Sequence, residues 1–149
     1  KLPNCRIQIA AAQLDRPGNW VVKTWIHESL HARQTWAVDM LDEYAMLPGY
    51  EEGLVETLCE MLVAEAGQPD VPMVYWTYLD AYRAAAADAG VSVYELAQAA
   101  WRIRPGEVRA TFGEAVNTAR RWNGKPPLSE SEMQKVLAEM DKRCARGKM

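Results

Sequence analysis

Residues 20–46, WVVKTWIHESLHARQTWAVDMLDEYAM, form the longest stretch without proline or glycine near the start of this sequence. Apolar residues such as Ile26 and Leu30 recur in it at the three- and four-residue spacing of one helix face. The stretch predicts one long helix, or two helices in line. Pro48 and Gly49 follow it and should end the helical segment.

The rest of the chain is dominated by the same helical periodicity. Helices are predicted over residues 51–66, 74–89, 92–102, 106–122 and 129–143. Ser129 and Glu132 have the spacing of a capping box at the start of the last of these helices. A strand signal occurs at residues 5–12, CRIQIAAA, where apolar and polar residues alternate for a few positions. We therefore expect a mainly α fold, α+β at most, with one or two short N-terminal strands.

Length and composition exclude several classes of protein. The 149 residues suffice for one domain, and with 49% hydrophobic and 25% charged residues the chain is not of the disordered type. The net charge of −3 argues against a general polyanion-binding surface. No apolar run approaches the roughly 20 residues of a membrane span. The first residue is Lys1 and no leader follows, so we expect an excised domain or a processed product, in a compartment that the sequence does not indicate.

The two histidines of the chain lie four residues apart in His27-Glu28-Ser29-Leu30-His31, an HExxH motif. Positions i and i+4 lie one above the other on a helix, so both imidazoles can reach one metal ion. The carboxylate of Glu28 then lies beside the metal, where it can take a proton from a metal-activated water. The motif predicts a catalytic zinc site with Glu28 as the general base.

Zinc needs a third protein ligand, and no histidine is left to supply it. Gln34 and Ala37 stand where the metzincin pattern has glycine and histidine, which excludes that family. A helix that reverses direction after Pro48-Gly49 would return an acid from residues 51–56, EEGLVE, towards His31. Both Glu51 and Glu52 are candidates, and a helix turns about 100° between them.

At this point the sequence resembles the gluzincin zinc peptidases, the thermolysin-like and aminopeptidase-like clan, over residues 24–60. Their pattern is HExxH, about twenty residues, then a ligand glutamate followed by a small residue, with another acid four positions on. Glu52-Gly53-Leu54-Val55-Glu56 matches it. The resemblance implies that Glu52 binds zinc and that Glu56 accepts a hydrogen bond from a zinc-bound histidine. Glu51 remains the alternative ligand.

The resemblance also implies a donor for the oxyanion that forms during peptide hydrolysis. In gluzincins this donor is a tyrosine or histidine from a downstream helix. Tyr75, Tyr78 and Tyr82 are the candidates, although an aromatic stripe at helical spacing is more often part of a core. The expected partner is a peptide or protein substrate, with the chain's own precursor as one option.

Three alternatives remain open. Residues 92–115 have the pattern of a helix-turn-helix, in which Arg102, Arg104 and Arg109 could contact phosphates, but interleaved acids make nucleic-acid binding a minor hypothesis. A degenerate zincin scaffold without activity is the second. The third is a closed structural zinc site with Cys59 as a ligand; the other two cysteines, Cys5 and Cys144, carry no signal.

Overall fold

The structure is a computed structural model that describes residues 9–33, 41–68, 70–71, 73–103 and 107–147. Cys5, Gln34, Ala37 and Arg104 therefore lie outside the described residues. The described part contains eight helical segments and no strand. They are α1 (Ala11–Leu14), α2 (Gly18–Arg33), α3 (Leu41–Met46), α4 (Gly49–Glu65), α5 (Trp76–Ala89), α6 (Val93–Arg102), α7 (Val108–Trp122) and α8 (Glu130–Cys144).

The prediction of a mainly helical chain is confirmed, and the ends of α4 to α8 lie within two residues of the predicted ones. Local capping chemistry explains this agreement. The backbone N–H of Ser129 donates to the carboxylate of Glu132, and the Ser129 hydroxyl accepts from the backbone N–H of Glu132, so the predicted capping box is present. Gly90 ends α5 in the left-handed conformation, with φ +66°, which costs glycine little.

The strand predicted over residues 5–12 is wrong at its described end. Residues 5–8 lie outside the described part, Ile9 and Ala10 belong to no strand, and Ala11 already opens the short helix α1. The alternation of apolar and polar residues stops at Ile9, and the three alanines that follow are the strongest helix formers. A strand also needs a neighbour for its backbone hydrogen bonds, and the described residues provide none.

Helix α4 lies at the centre of the fold. It packs against α2, α3, α5, α6 and α8, and most of its residues are buried on every side. A helix buried all round is usually apolar throughout, whereas α4 also buries Glu51, Glu52 and Glu56. Buried carboxylates require partners, because an unpaired buried charge is costly. The partners of these three acids define the candidate site.

Close packing of α4 against α5 depends on Gly53. A Cβ atom at Gly53 would lie 2.8 Å from the ring of Tyr82 and 2.9 Å from the backbone oxygen of Tyr78. The small residue after Glu52 is therefore needed where α5 crosses α4. On the far side of this contact, the Tyr82 hydroxyl donates to the backbone oxygen of Tyr50, and the ring of Phe112 packs edge-on against both tyrosines.

No helix within the described residues has the length and apolar character needed to cross a bilayer.

Candidate metal centre

The two histidines of the HExxH motif lie on the buried face of α2 and point to the same place. His27 is buried and His31 nearly so, and their rings meet edge to face with centroids 4.8 Å apart. Nε2 of His27 lies 3.1 Å from Nε2 of His31. This is the geometry that the i, i+4 spacing predicts for one helix face.

Helix α4 runs antiparallel to α2 and brings its acids to these rings. Glu51 and Glu52 lie beside His31, and Glu56, one turn later on α4, lies beside His27, one turn earlier on α2. Oε2 of Glu52 is 3.1 Å from Nε2 of His31 and 3.3 Å from Nε2 of His27. Pro48 allows this return, because α3 ends at Met46 and α4 begins at Gly49.

Three potential ligand atoms therefore gather at one point, Nε2 of His27, Nε2 of His31 and Oε2 of Glu52. Zinc–ligand bonds of about 2.0–2.1 Å in tetrahedral geometry place neighbouring ligands about 3.3–3.4 Å apart. The observed separations of 3.1, 3.1 and 3.3 Å are close to that spacing. Two imidazoles and one carboxylate form a donor set of the kind that binds zinc in proteins.

The outer nitrogen of each ring is held by another carboxylate. Nδ1 of His27 lies 2.9 Å from Oε2 of Glu56, and Nδ1 of His31 lies 2.7 Å from Oε1 of Glu51. When Nδ1 donates its proton to a carboxylate, the neutral imidazole presents the lone pair of Nε2 to the other side. Carboxylate–histidine pairs of this kind orient the rings of metal-binding histidines.

The structure places Glu51 away from the three gathered atoms. Its carboxylate faces Nδ1 of His31, on the outer side of the ring, and Glu52 faces Nε2 of both histidines. Although α4 turns between the two glutamates, both reach the His31 ring, because each approaches a different edge of it. Glu56 lies where the resemblance implies, against a ring nitrogen of one of the two histidines.

The electrostatics of the cluster favour a positive charge at its centre. Burial lowers the pKa of His31, but hydrogen bonds to Glu51 and Glu52 outweigh this effect and raise the pKa to about 9. Burial likewise opposes protonation of His27, yet hydrogen bonds to Glu52 and Glu56 raise its pKa. Burial disfavours the charged forms of Glu52 and Glu56, but hydrogen bonds, to both histidines for Glu52 and to His27 for Glu56, hold both pKa values below the usual range. A bound proton or a metal cation would supply the positive charge.

Two further residues of the site carry no motif and were not predicted. Lys23, one turn before His27, is buried with its ammonium 3.0 Å from both oxygens of Glu56. The Tyr44 hydroxyl of α3 donates to Oε1 of Glu52 over 2.5 Å, on the carboxylate oxygen that does not face the histidines. The sequence signal that could have identified Lys23 is its four-residue spacing from His27, because this spacing puts the lysine on the histidine face of the helix.

Glu28 lines a cleft that also includes His27. The cleft has a volume of about 150 Å³ and is lined by Trp20, Lys23, Thr24, His27, Glu28, Val74 and Tyr75. Tyr75 stacks on His27 with ring centroids 5.5 Å apart, and burial raises the pKa of its phenol to about 12. Tyr78 and Tyr82 are buried, and Tyr82 donates within the core. Of the three candidate tyrosines, Tyr75 is the one that lines this cleft.

Two of the alternative hypotheses depend on Cys59, as a structural zinc ligand, and on the arginines of residues 92–115, as phosphate contacts. Cys59 is buried with Sγ 3.6 Å from the backbone oxygen of Lys23 and is not among the gathered ligand atoms. In the segment 92–115, Arg102 lies over the ring of Trp122, and Arg109 lies 3.2 Å from a carboxylate oxygen of Asp141. Both described arginines of that segment therefore have partners within the fold.

Comparisons of this chain with protein-family models, with curated proteins and with solved structures found no match.

Proposed function

We propose that this protein is a zinc-dependent peptidase in which His27, His31 and Glu52 bind the metal and Glu28 is the general base. The observation that carries the proposal is the convergence of the two Nε2 atoms and Oε2 of Glu52 at separations of 3.1–3.3 Å. Three hydrogen-bond acceptors this close repel one another unless a proton or a metal cation lies between them. The HExxH motif and the acid on the returning helix, which resemble those of gluzincins, support zinc as that cation.

Zinc bound there would act as a Lewis acid on the substrate carbonyl and lower the pKa of water to about 7. The protein's own residues supply the remaining steps. Glu28 accepts a proton from the attacking water and delivers it to the leaving amine nitrogen. The hydroxyl of Tyr75 donates a hydrogen bond to the oxygen that becomes negative on the tetrahedral carbon. Both side chains line the same cleft, which supports these roles.

The substrate we propose is a peptide or protein, with the chain's own precursor as an alternative. Trp20, Thr24 and Val74 line the cleft beside Glu28 and would contact a substrate side chain. Zincins often bind substrate against a strand edge, but the described residues include no strand. The backbone N–H groups of Val74 and Tyr75 already donate to Glu56, and we therefore expect side chains of the cleft to recognise the substrate.

The test of the proposal is metal analysis combined with an activity assay. We expect one zinc per purified chain, no zinc in His31→Ala, and chelator-sensitive hydrolysis of an unstructured protein. The ligands lie on two helices, so zinc at about 100 times its Kd should stabilise the fold by about 2.7 kcal/mol. A chain that takes up no zinc, with the same melting temperature with and without chelator, would refute the proposal. Zinc binding without hydrolysis would favour the degenerate scaffold.

The hydroxyl of Tyr75 should matter for turnover and not for metal binding. Tyr75→Phe keeps the ring that stacks on His27 and removes the proposed donor to the oxyanion. We expect kcat to fall by about 10²-fold, as on loss of one oxyanion donor, with zinc content unchanged. Tyr94→Phe, at an exposed tyrosine of α6, serves as the control and should keep full activity. Unchanged kcat in Tyr75→Phe would assign the oxyanion donor elsewhere.

A further inference from the structure

A buried lysine next to a candidate metal centre is unusual, because its charge opposes that of the metal. Lys23 is only 3% exposed, although lysine almost never lies fully buried without a partner. Its partner is Glu56, which is completely buried. The Lys23 ammonium lies 3.0 Å from Oε1 and 3.0 Å from Oε2, so it bridges the two oxygens of the carboxylate.

The other contacts of Glu56 divide between its two oxygens. Oε1 accepts from the backbone N–H groups of Val74, at 2.6 Å, and Tyr75, at 3.4 Å. Oε2 lies 2.9 Å from Nδ1 of His27. Among these partners Lys23 alone contacts both oxygens, and it therefore resists rotation of the carboxylate about its last side-chain bond. The orientation of Oε2 in turn sets the plane of the His27 ring.

We propose that Lys23 is a positioning residue for the metal: it fixes the Glu56 carboxylate, which holds Nδ1 of His27 and so aims Nε2 of His27 at the centre of the site. The inference rests on the metal site of the proposed function. Lys23 lies one helical turn before His27 on the same face of α2, so its ammonium and the ring approach Glu56 from the same side. The lysine acts on the metal only through the carboxylate between them.

A double-mutant cycle in zinc affinity tests this inference. Lys23→Met, which keeps an unbranched side chain of similar length and removes its charge, is made in the wild-type and in the Glu56→Gln protein. Zinc affinity is measured by competition with a chromophoric chelator. We expect Lys23→Met to weaken zinc binding by about 10-fold in the wild-type protein, as for other residues that support a metal ligand. In the Glu56→Gln background the same substitution should change affinity by less than about twofold.

The cycle remains informative if Lys23→Met alone fails to fold. Removing one partner of a buried ion pair is strongly destabilising, whereas removing both charges together is tolerated better. The comparison of Glu56→Gln with the Lys23→Met/Glu56→Gln double variant then decides by itself. A further 10-fold loss of affinity in the double variant would mean that Lys23 acts independently of Glu56 and would overturn the proposal.

Two further measurements separate positioning from a general loss of stability. The visible absorption of cobalt(II) in the site reports ligand geometry, and we expect it to change in Lys23→Met. Val63→Ala truncates a buried residue of α4 remote from the cluster and should lower the melting temperature without changing zinc affinity or the cobalt spectrum. Wild-type affinity and spectrum in Lys23→Met would overturn the inference and leave the metal site standing. A wild-type protein that binds neither metal would refute the proposed function itself, and the inference with it.

Discussion

Glu52→Ala is expected to give a largely zinc-free protein, because it removes the one carboxylate oxygen that faces both histidine Nε2 atoms. The neighbouring acids should behave differently. Glu51→Ala and Glu56→Ala leave the three gathered atoms in place and remove only the partner of one Nδ1 each. Each of these substitutions should weaken zinc binding by about 10–100-fold without emptying the site. If Glu51 were the ligand, the alternative that the sequence leaves open, Glu51→Ala would be the substitution that empties the site.

A matched control for this series is Glu60→Ala. Glu60 follows Glu56 by one turn of the same helix but pairs with Arg83, 2.7 Å away, outside the cluster. The Glu60→Ala protein should bind zinc as tightly as the wild-type protein. Zinc content is measured by elemental analysis after dialysis against a weak chelator. If Glu51→Ala empties the site and Glu52→Ala does not, the third ligand has been misassigned.

Glu28→Gln is expected to abolish most activity while the metal stays bound. Glutamine keeps the size and hydrogen-bonding capacity of the side chain but cannot accept the proton at neutral pH. General base catalysis contributes about 10²–10⁴-fold, so kcat should fall by that factor. Glu28 is not among the gathered ligand atoms, and zinc content should therefore stay near one per chain. Kinetics on a defined peptide substrate, with zinc measured on the same sample, check both expectations.

The control for Glu28→Gln is Glu65→Gln, the same change at an exposed position at the end of α4. It should alter neither activity nor zinc content. Wild-type activity in Glu28→Gln would rule out Glu28 as the base and with it the proposed mechanism. Loss of zinc from Glu28→Gln would instead show that the carboxylate takes part in metal binding.

The features that the sequence predicts correctly are those that depend only on residues within one or two helical turns. Helix ends follow from Pro48, Gly90 and the Ser129 cap, because each acts within one or two turns of backbone. The convergence of His27 and His31 follows from the four-residue spacing alone. The fixed geometry of a helix makes these inferences independent of the rest of the fold.

The sequence does not predict features that depend on how separate helices pack against each other. That Glu51 holds the outer nitrogen of His31 depends on how α4 lies across α2, since a rotation of about 100° separates neighbouring residues. The pairing of Lys23 with Glu56 depends likewise on the docking of α2 against α4. The choice of Tyr75 over Tyr78 depends on where α5 begins. The strand prediction is wrong at residues 9–12, because alternation over a few residues does not guarantee a neighbouring strand.

The placement of three buried acids within two turns of α4 also constrains the order in which the chain can assemble. Before α2 arrives, Glu51, Glu52 and Glu56 repel one another and keep this face of α4 in water. Lys23, His27 and His31 all lie on α2, so one helix carries the ammonium group and both imidazoles that these three acids contact. Burial of the acids and neutralisation of their charge must then occur in the same step. The docking of α2 against α4 is therefore the step that buries these acids.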